Sequence, residues 1–103
     1  MSPQPVIALP EVEGDLRSAG EFYQSWRSDG FTHLRTLWDE TTAWIEANPD
    51  LFPKCYRDFR RAPLRNSYYA AFYMVEPTVT IVVAVLDLRQ RPARVRRLLR
   101  NRR

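Results

Sequence analysis

The stretch Tyr68–Leu88, YYAAFYMVEPTVTIVVAVLDL, decides the fold that the sequence predicts. Its first part, Tyr68–Val75, is aromatic and apolar. Its second part, Thr78–Leu88, is rich in β-branched residues, which favour extended backbone. A Glu-Pro pair separates them, and proline, which has no N–H group, belongs in a turn rather than inside a sheet. The stretch therefore predicts a β-hairpin, and the unbroken apolar run Ile81–Leu86 predicts that the second strand is covered on both faces.

The segments on either side predict the elements that pack on this hairpin. In chain order they are a strand at Pro5–Pro10, amphipathic helices at Glu11–Arg27 and Phe31–Ala47, a loop at Asn48–Cys55, a short strand from Tyr56 that Pro63 interrupts, and a terminal helix at Arg91–Leu99. The last residues, Arg100–Arg103, are expected to fray. This order predicts an α+β fold. An N-terminal strand precedes an antiparallel two-helix hairpin, which packs on a small, mostly antiparallel sheet of about four strands, and a short helix follows.

Length and composition narrow the class of protein. A chain of 103 residues with 45% hydrophobic residues predicts one globular domain. The single cysteine, Cys55, has no partner for an internal disulfide, which favours a reducing compartment. No apolar run approaches the roughly 20 residues that span a bilayer, and the N-terminus lacks the pattern of a signal peptide. We therefore expect a cytoplasmic protein.

Charge is distributed unevenly along the chain. Residues 1–50 hold nine acidic and three basic residues, a net charge of −6, whereas residues 51–103 hold three acidic and thirteen basic residues, a net charge of +10. Half of the sixteen basic residues lie in Arg89–Arg103, and fifteen of the sixteen are arginine. Arginine binds phosphate and carboxylate through two parallel hydrogen bonds. The pattern predicts a polyanionic or acidic partner at the C-terminal end, with solvated arginines as the alternative.

Four stretches together carry a family resemblance. They are VIALPEVEGDL at 6–16, AWIEANPDLFPKCY at 43–56, RRAPLRNSYYAAFYMVE at 60–76 and TIVVAVLDLRQRPARVRRLL at 80–99. In this order and spacing they resemble the RelE/ParE superfamily of bacterial toxin–antitoxin toxins, also known as plasmid stabilisation proteins. The sequence departs from the family pattern at Met74, where members often have arginine. It also departs at the turn Asp87–Pro92, where members often read His-x-x-Arg-Asp-Pro. The missing histidine weakens the case for ribonuclease chemistry.

The resemblance implies that residues 1–103 form one toxin domain, with an arginine-rich helix or tail at 94–103. We expect a ParE-like toxin that binds and inhibits DNA gyrase, needs no cofactor or metal, and is neutralised by a cognate antitoxin protein. The first alternative is a RelE-like, ribosome-dependent mRNA endonuclease. The second is an inactive relative that binds only its antitoxin or a nucleic acid. Homodimer formation is left open.

Two sets of candidate residues follow from these readings. Those expected to bind the target or the antitoxin are Arg60, Arg61, Arg65, Arg89, Arg91, Arg94 and Arg97. A ribonuclease needs an acid, a base and cations for the phosphorane, and its candidates are Lys54, Arg61, Tyr73 and Arg89. The only histidine, His33, is expected to be solvated or to pack, and Cys55 is expected to be buried or half-buried.

Overall fold

Residues 2–103, which the computed structural model describes, form five strands and three helices. In chain order these are β1 (Val6–Ala8), α1 (Glu11–Gln24), α2 (Gly30–Ala47), β2 (Lys54–Tyr56), β3 (Phe59–Pro63), β4 (Tyr69–Val75), β5 (Thr80–Asp87) and α3 (Pro92–Arg102). The α+β fold with an N-terminal strand, a two-helix hairpin, a mostly antiparallel sheet and a short terminal helix is confirmed.

The sheet is built outward from the predicted hairpin. Its strand order is β1-β5-β4-β3-β2, and β1 pairs with β5 in parallel while the other neighbours are antiparallel. The prediction of about four strands was one too few. The segment expected to be a loop at Asn48–Cys55 runs into β2, which pairs with β3 across a tight turn at Arg57 and Asp58. A strand of three residues is too short to show a recognisable alternation of apolar and polar residues in the sequence.

Both faces of the central strands are buried, as the apolar run predicted. On β4, Tyr69 and Tyr73 face the core beneath α1 and α2, whereas Phe72 faces the smaller core beneath α3. The pairing between β4 and β5 skips Val83, because Phe72 lies opposite Ala84 and Tyr73 lies opposite Val82. This bulge changes the phase of β5, so that Val82 and Val85 face the larger core whereas Val83 and Ala84 both belong to the smaller one.

An ion pair between α1 and α3 completes the hydrogen bonding of β5. Strand β1 ends at Ala8, and beyond it the side chain of Asp15 accepts a hydrogen bond from the Val85 N–H at 3.0 Å. Arg102 donates two hydrogen bonds to the carboxylate of Asp15, at 2.5 and 2.9 Å, and one to the Val83 carbonyl at 3.0 Å. The two side chains are only 12% and 15% exposed. They take the place of a neighbouring strand on this part of β5.

The C-terminal residues are therefore ordered, and the prediction that Arg100–Arg103 fray was wrong. Helix α3 continues to Arg102. Arg103 also pairs with Glu76, at 2.7 Å. Residues at a chain end fray unless tertiary contacts hold them, and here a contact across 87 positions of sequence holds Arg102.

Replacing Arg102 should destabilise the fold far more than replacing its neighbour. Arg102→Ala leaves the carboxylate of Asp15 mostly buried without its cation, which costs about 3 kcal/mol in the free energy of unfolding. Arg103→Ala removes an ion pair that is about one-third exposed on both sides, which costs less than about 1 kcal/mol. Urea unfolding of both variants measures the difference. Equal losses would contradict the role given to Arg102.

Candidate functional site

The fifteen arginines fall into two groups according to their partners. Eight form an ion pair with a carboxylate. The other seven are exposed and have no such partner within residues 2–103; they are Arg57, Arg61, Arg91, Arg94, Arg96, Arg97 and Arg100. These seven belong to the β2–β3 hairpin, to α3 and to the residue before α3. We call them the arginine surface.

Helix α3 presents four of these arginines on its outer side. Val95, Leu98 and Leu99 pack on the sheet, and Leu99 is fully buried. Arg94 and Arg97 lie one turn apart on the outer side, as do Arg96 and Arg100, because residues three and four apart are neighbours on a helix. The hydrophobic side of α3 therefore fixes the direction in which its arginines point.

The β2–β3 hairpin meets these arginines at Tyr56. The guanidinium carbon of Arg57 lies 5.2 Å from the centre of the Tyr56 ring, and that of Arg96 lies 5.9 Å from it. Arg100 donates a hydrogen bond of 3.1 Å to the phenol oxygen, and this bond lowers the pKa of Tyr56. The ring also stacks on Phe59 at an interplanar angle of 4°. Three arginines thus converge on one aromatic side chain.

A groove beside α3 extends the arginine surface across the sheet. Arg61, Arg96, Cys55 and Leu99 are among the residues that line it, and its volume is about 120 Å³. Cys55 is exposed, so the prediction that it is buried or half-buried was wrong. Its three-residue strand lies at the edge of the sheet, where it pairs with β3 on one side. Partial burial of the sulfur atom nevertheless raises the pKa of the Cys55 thiol, which disfavours the thiolate.

Two predicted binding residues make contacts that join loops and helices to the sheet. Arg60 donates hydrogen bonds to the Phe52 carbonyl at 2.7 Å and to the carboxylate of Asp50 at 3.0 Å, and its side chain is 17% exposed. Arg65 forms two hydrogen bonds with Glu40 on α2, at 2.8 and 3.2 Å. The charges of both arginines are already neutralised by these carboxylates.

Arg89, another predicted binding residue, lies at a separate aromatic patch. Its guanidinium carbon is 4.2 Å from the centre of the Tyr68 ring and 4.9 Å from that of Phe22. Asp87 accepts hydrogen bonds from Arg89, and these lower the pKa of the Asp87 carboxyl. Arg89 is thus paired with a carboxylate, whereas Arg91, the other predicted binding residue in this turn, has no such partner within residues 2–103.

The four candidates for ribonuclease chemistry do not converge. Tyr73 is fully buried, and its hydroxyl donates a hydrogen bond of 2.9 Å to the Pro49 carbonyl. It faces the core beneath α1 and α2, whereas Arg61 lies opposite Phe72 and shares the other face of the sheet. Lys54 pairs with Asp58 at 3.3 Å. The structure therefore keeps the phenol of Tyr73 away from the cations that were expected to act with it.

The sequence missed three members of the arginine surface, namely Arg57, Arg96 and Arg100. The spacing of Arg96 and Arg100 would have placed them on one side of a helix, but the helix was expected to end at Leu99. Arg57 was not predicted as a binding residue, because the β2–β3 turn that brings it to Tyr56 was not predicted. The remaining members, Arg61, Arg91, Arg94 and Arg97, had been predicted.

Metal-binding clusters and membrane-spanning helices are absent from the part of the chain described, residues 2–103. No group of three His, Cys, Asp or Glu side chains there is placed to hold a metal ion. None of the helices there is long and apolar enough to cross a membrane. His33 packs edge-on against Tyr23, with ring centres 5.1 Å apart, in agreement with the packing role expected of it.

Comparison with known proteins identifies the fold. No protein-family model and no curated protein matches the sequence. Among solved structures, a chain of the "Chromosomal ParDE TA system from P. aeruginosa" matches with a TM-score of 0.72 at 9% sequence identity, over 82% of this chain and 96% of that one. This protein therefore has the fold of a component of a toxin–antitoxin system. Specifically, it has the fold of a ParDE chain, which agrees with the fold that the sequence resemblance implied.

Arg57 has a backbone φ of 51°, a left-handed conformation that costs side-chain-bearing residues about 1 kcal/mol relative to glycine. Arg57→Gly should therefore unfold with a free energy about 1 kcal/mol higher than Arg57→Ala, although both variants lack the cation. Chemical denaturation of the pair measures the difference. A more stable alanine variant would mean that the turn changes its conformation once the contact with Tyr56 is lost.

The Asp87–Arg89 pair should stabilise the fold at neutral pH and lose this effect in acid. Because the pKa of Asp87 is lowered in the folded protein, its contribution is complete above the ordinary value of 3.8 and declines as the pH falls through the folded value. The stability difference between wild type and Asp87→Asn should thus be largest near neutrality and should shrink below about pH 3.8. Urea unfolding across this range tests it. A difference that is independent of pH would contradict the assignment.

Proposed function

We propose that this chain is the toxin of a bacterial type II toxin–antitoxin system, and that it acts, as ParE-like toxins do, by binding and inhibiting DNA gyrase in the cytoplasm. The ParDE-like fold supports the class. The arginine surface carries the mechanism, because its seven exposed cations, none of which pairs with a carboxylate within residues 2–103, repel one another. A binding partner that supplies negative charge relieves this repulsion.

Binding, rather than catalysis, fits the placement of the side chains. RNA cleavage needs a base for the 2′-hydroxyl and an acid for the leaving oxygen, both within hydrogen-bond reach of the substrate. The phenol of Tyr73 is buried and bonded to a carbonyl, on the other face of the sheet from Arg61. An inhibitor of gyrase needs only a complementary surface, and arginine and tyrosine are common anchors of such surfaces.

The proposed antitoxin needs a site of a different character. A groove of about 480 Å³ runs between α1 and α2, with an apolar floor that includes Leu16, Leu34 and Trp38. Ion pairs at 3.6 and 3.9 Å on its rim, one of them joining Arg17 to Glu13, neutralise its charges. An amphipathic helix of the antitoxin can place its apolar side in such a groove. The arginine surface and the open edges of the sheet are the other docking sites that the antitoxin could use.

Purified chain, free of antitoxin, should inhibit supercoiling by gyrase at concentrations that leave relaxation of the same plasmid by topoisomerase I unaffected. The Arg94→Ala/Arg97→Ala variant should need at least about tenfold more protein, because each lost arginine anchor costs on the order of 1 kcal/mol or more. Arg17→Ala/Arg35→Ala is the matched control. It removes the same charge from side chains that are 65% and 82% exposed but paired.

Cleavage of mRNA on the ribosome distinguishes the alternative activity. The account predicts intact mRNA in a ribosome-programmed assay with the same protein preparation. Cleaved mRNA together with unaffected gyrase would contradict the proposal in favour of a RelE-like enzyme. A folded chain that is inactive in both assays would also contradict it, and would favour a relative whose remaining partner is the antitoxin.

A further inference from the structure

We infer that the arginine surface binds the phosphate backbone of double-stranded DNA directly, so that the toxin engages gyrase together with the DNA that gyrase holds. This inference rests on the proposed function for its biological setting. Its chemistry depends only on the side chains of α3 and of the β2–β3 hairpin, so direct binding of DNA is testable without gyrase.

Phosphate is the ligand that the charges of this surface fit. The members of the surface are all arginines, whose planar guanidinium groups make paired hydrogen bonds with phosphate oxygens. The opposite charge is concentrated elsewhere, because residues 1–50, which form α1 and α2, carry a net charge of −6. A molecule polarised in this way turns its basic side toward a polyanion before contact.

The arginine surface has few exposed apolar side chains, so its arginine anchors fit a complex of gyrase with DNA better than a protein surface alone. Interfaces between proteins have a core of buried apolar and aromatic side chains, in which arginine is enriched but lysine, glutamate and aspartate are depleted. The exposed large apolar side chains lie mainly elsewhere: Ile7 is on β1, and Phe31 and Trp44 are on α2. Within the described chain, only Leu88 among these exposed side chains lines the groove beside α3. Protein–DNA interfaces, in contrast, are polar and strongly basic.

A duplex fits this surface better than a single strand. Proteins that bind single strands offer aromatic rings on which bases stack. Among residues 2–103, Tyr56 is the only aromatic side chain that the arginine surface surrounds, and its ring is already in contact with Phe59, Arg57 and Arg96. No free ring remains there for a base, so the groups offered to the ligand are cations that bind backbone phosphates and carry no direct sequence information.

The length of α3 matches several phosphates. A helix of 11 residues is about 16 Å long. One DNA strand places a phosphate about every 3.4 Å along the duplex axis, so α3 covers roughly five of them. Arg94 and Arg97 form one row along the helix, and Arg96 and Arg100 form another. The ion pair between Arg102 and Asp15 holds the helix in place, which reduces the entropy lost on binding.

The test is the binding of the full chain to a fluorescein-labelled duplex of about two helical turns, measured by fluorescence anisotropy between about 50 and 200 mM salt. The logarithm of the association constant should fall with the logarithm of salt concentration, by about 0.9 for each phosphate neutralised. Arg94→Ala/Arg97→Ala should reduce this slope by about 2 and weaken binding roughly 50-fold near 0.1 M salt. Arg17→Ala/Arg35→Ala should change neither quantity.

Three outcomes would overturn the inference. They are absence of binding at low salt, equal weakening by the two double variants, and tighter binding to polyglutamate of matched charge than to DNA, which would assign the surface to an acidic protein segment. Failure of the proposed function looks different. If the chain binds DNA through Arg94 and Arg97 but does not inhibit gyrase, DNA binding is established and the proposed gyrase target is wrong. If a variant inhibits gyrase fully without binding DNA, the gyrase target stands and the inference of DNA binding is wrong.

Discussion

The ion pair between Asp15 and Arg102 is the constraint on which the arrangement of the molecule depends. It lies where β1 has ended and β5 still has a free N–H and a free carbonyl, at Val85 and Val83. Leaving such groups buried without partners would cost about 1 to 3 kcal/mol each. A carboxylate from α1 and a guanidinium from α3 supply the partners, and the same contact joins both helices to the central strand.

This constraint has a consequence for the charges. Because Arg102 and the apolar side of α3 bind the helix to the sheet, its remaining arginines are held on the outer side in fixed positions. The β2–β3 hairpin adds Arg57 beside them through Tyr56. The acidic residues of α1 and α2 neutralise arginines elsewhere, for example Glu40 with Arg65. The unpaired arginines thus lie together on α3, just before it and on the β2–β3 hairpin.

The sequence predicted those features that depend on neighbouring residues. Aromatic and β-branched residues around a Glu-Pro pair predicted the β4–β5 hairpin, and helical spacing predicted α1 and α2, which the structure contains with ends shifted by up to three residues. The strand β2 was missed because three residues at Lys54–Tyr56 carry no period. The ordered C-terminal residues were not predicted, because their order depends on the contact between Arg102 and Asp15, which are distant in sequence.

The candidate site was predictable only in part, for a related reason. The density of arginine near the C-terminus indicated a basic surface, and Arg91, Arg94 and Arg97 belong to it. Which arginines are neutralised depends on the acidic residue that the fold places beside each one. Arg60 meets Asp50 across ten positions, and no local pattern encodes that pairing.

The measurement that tests the central claim most directly is growth arrest of bacteria that express the chain without an antitoxin. Two triple variants, each of which lacks three positive charges, are compared with wild type at equal protein level. One carries Arg94→Gln, Arg97→Gln and Arg100→Gln in the arginine surface. The other carries Arg17→Gln, Arg35→Gln and Arg65→Gln, whose arginines are exposed but paired. The account predicts that only the first variant permits growth. Arrest by the first variant equal to that by wild type would contradict it.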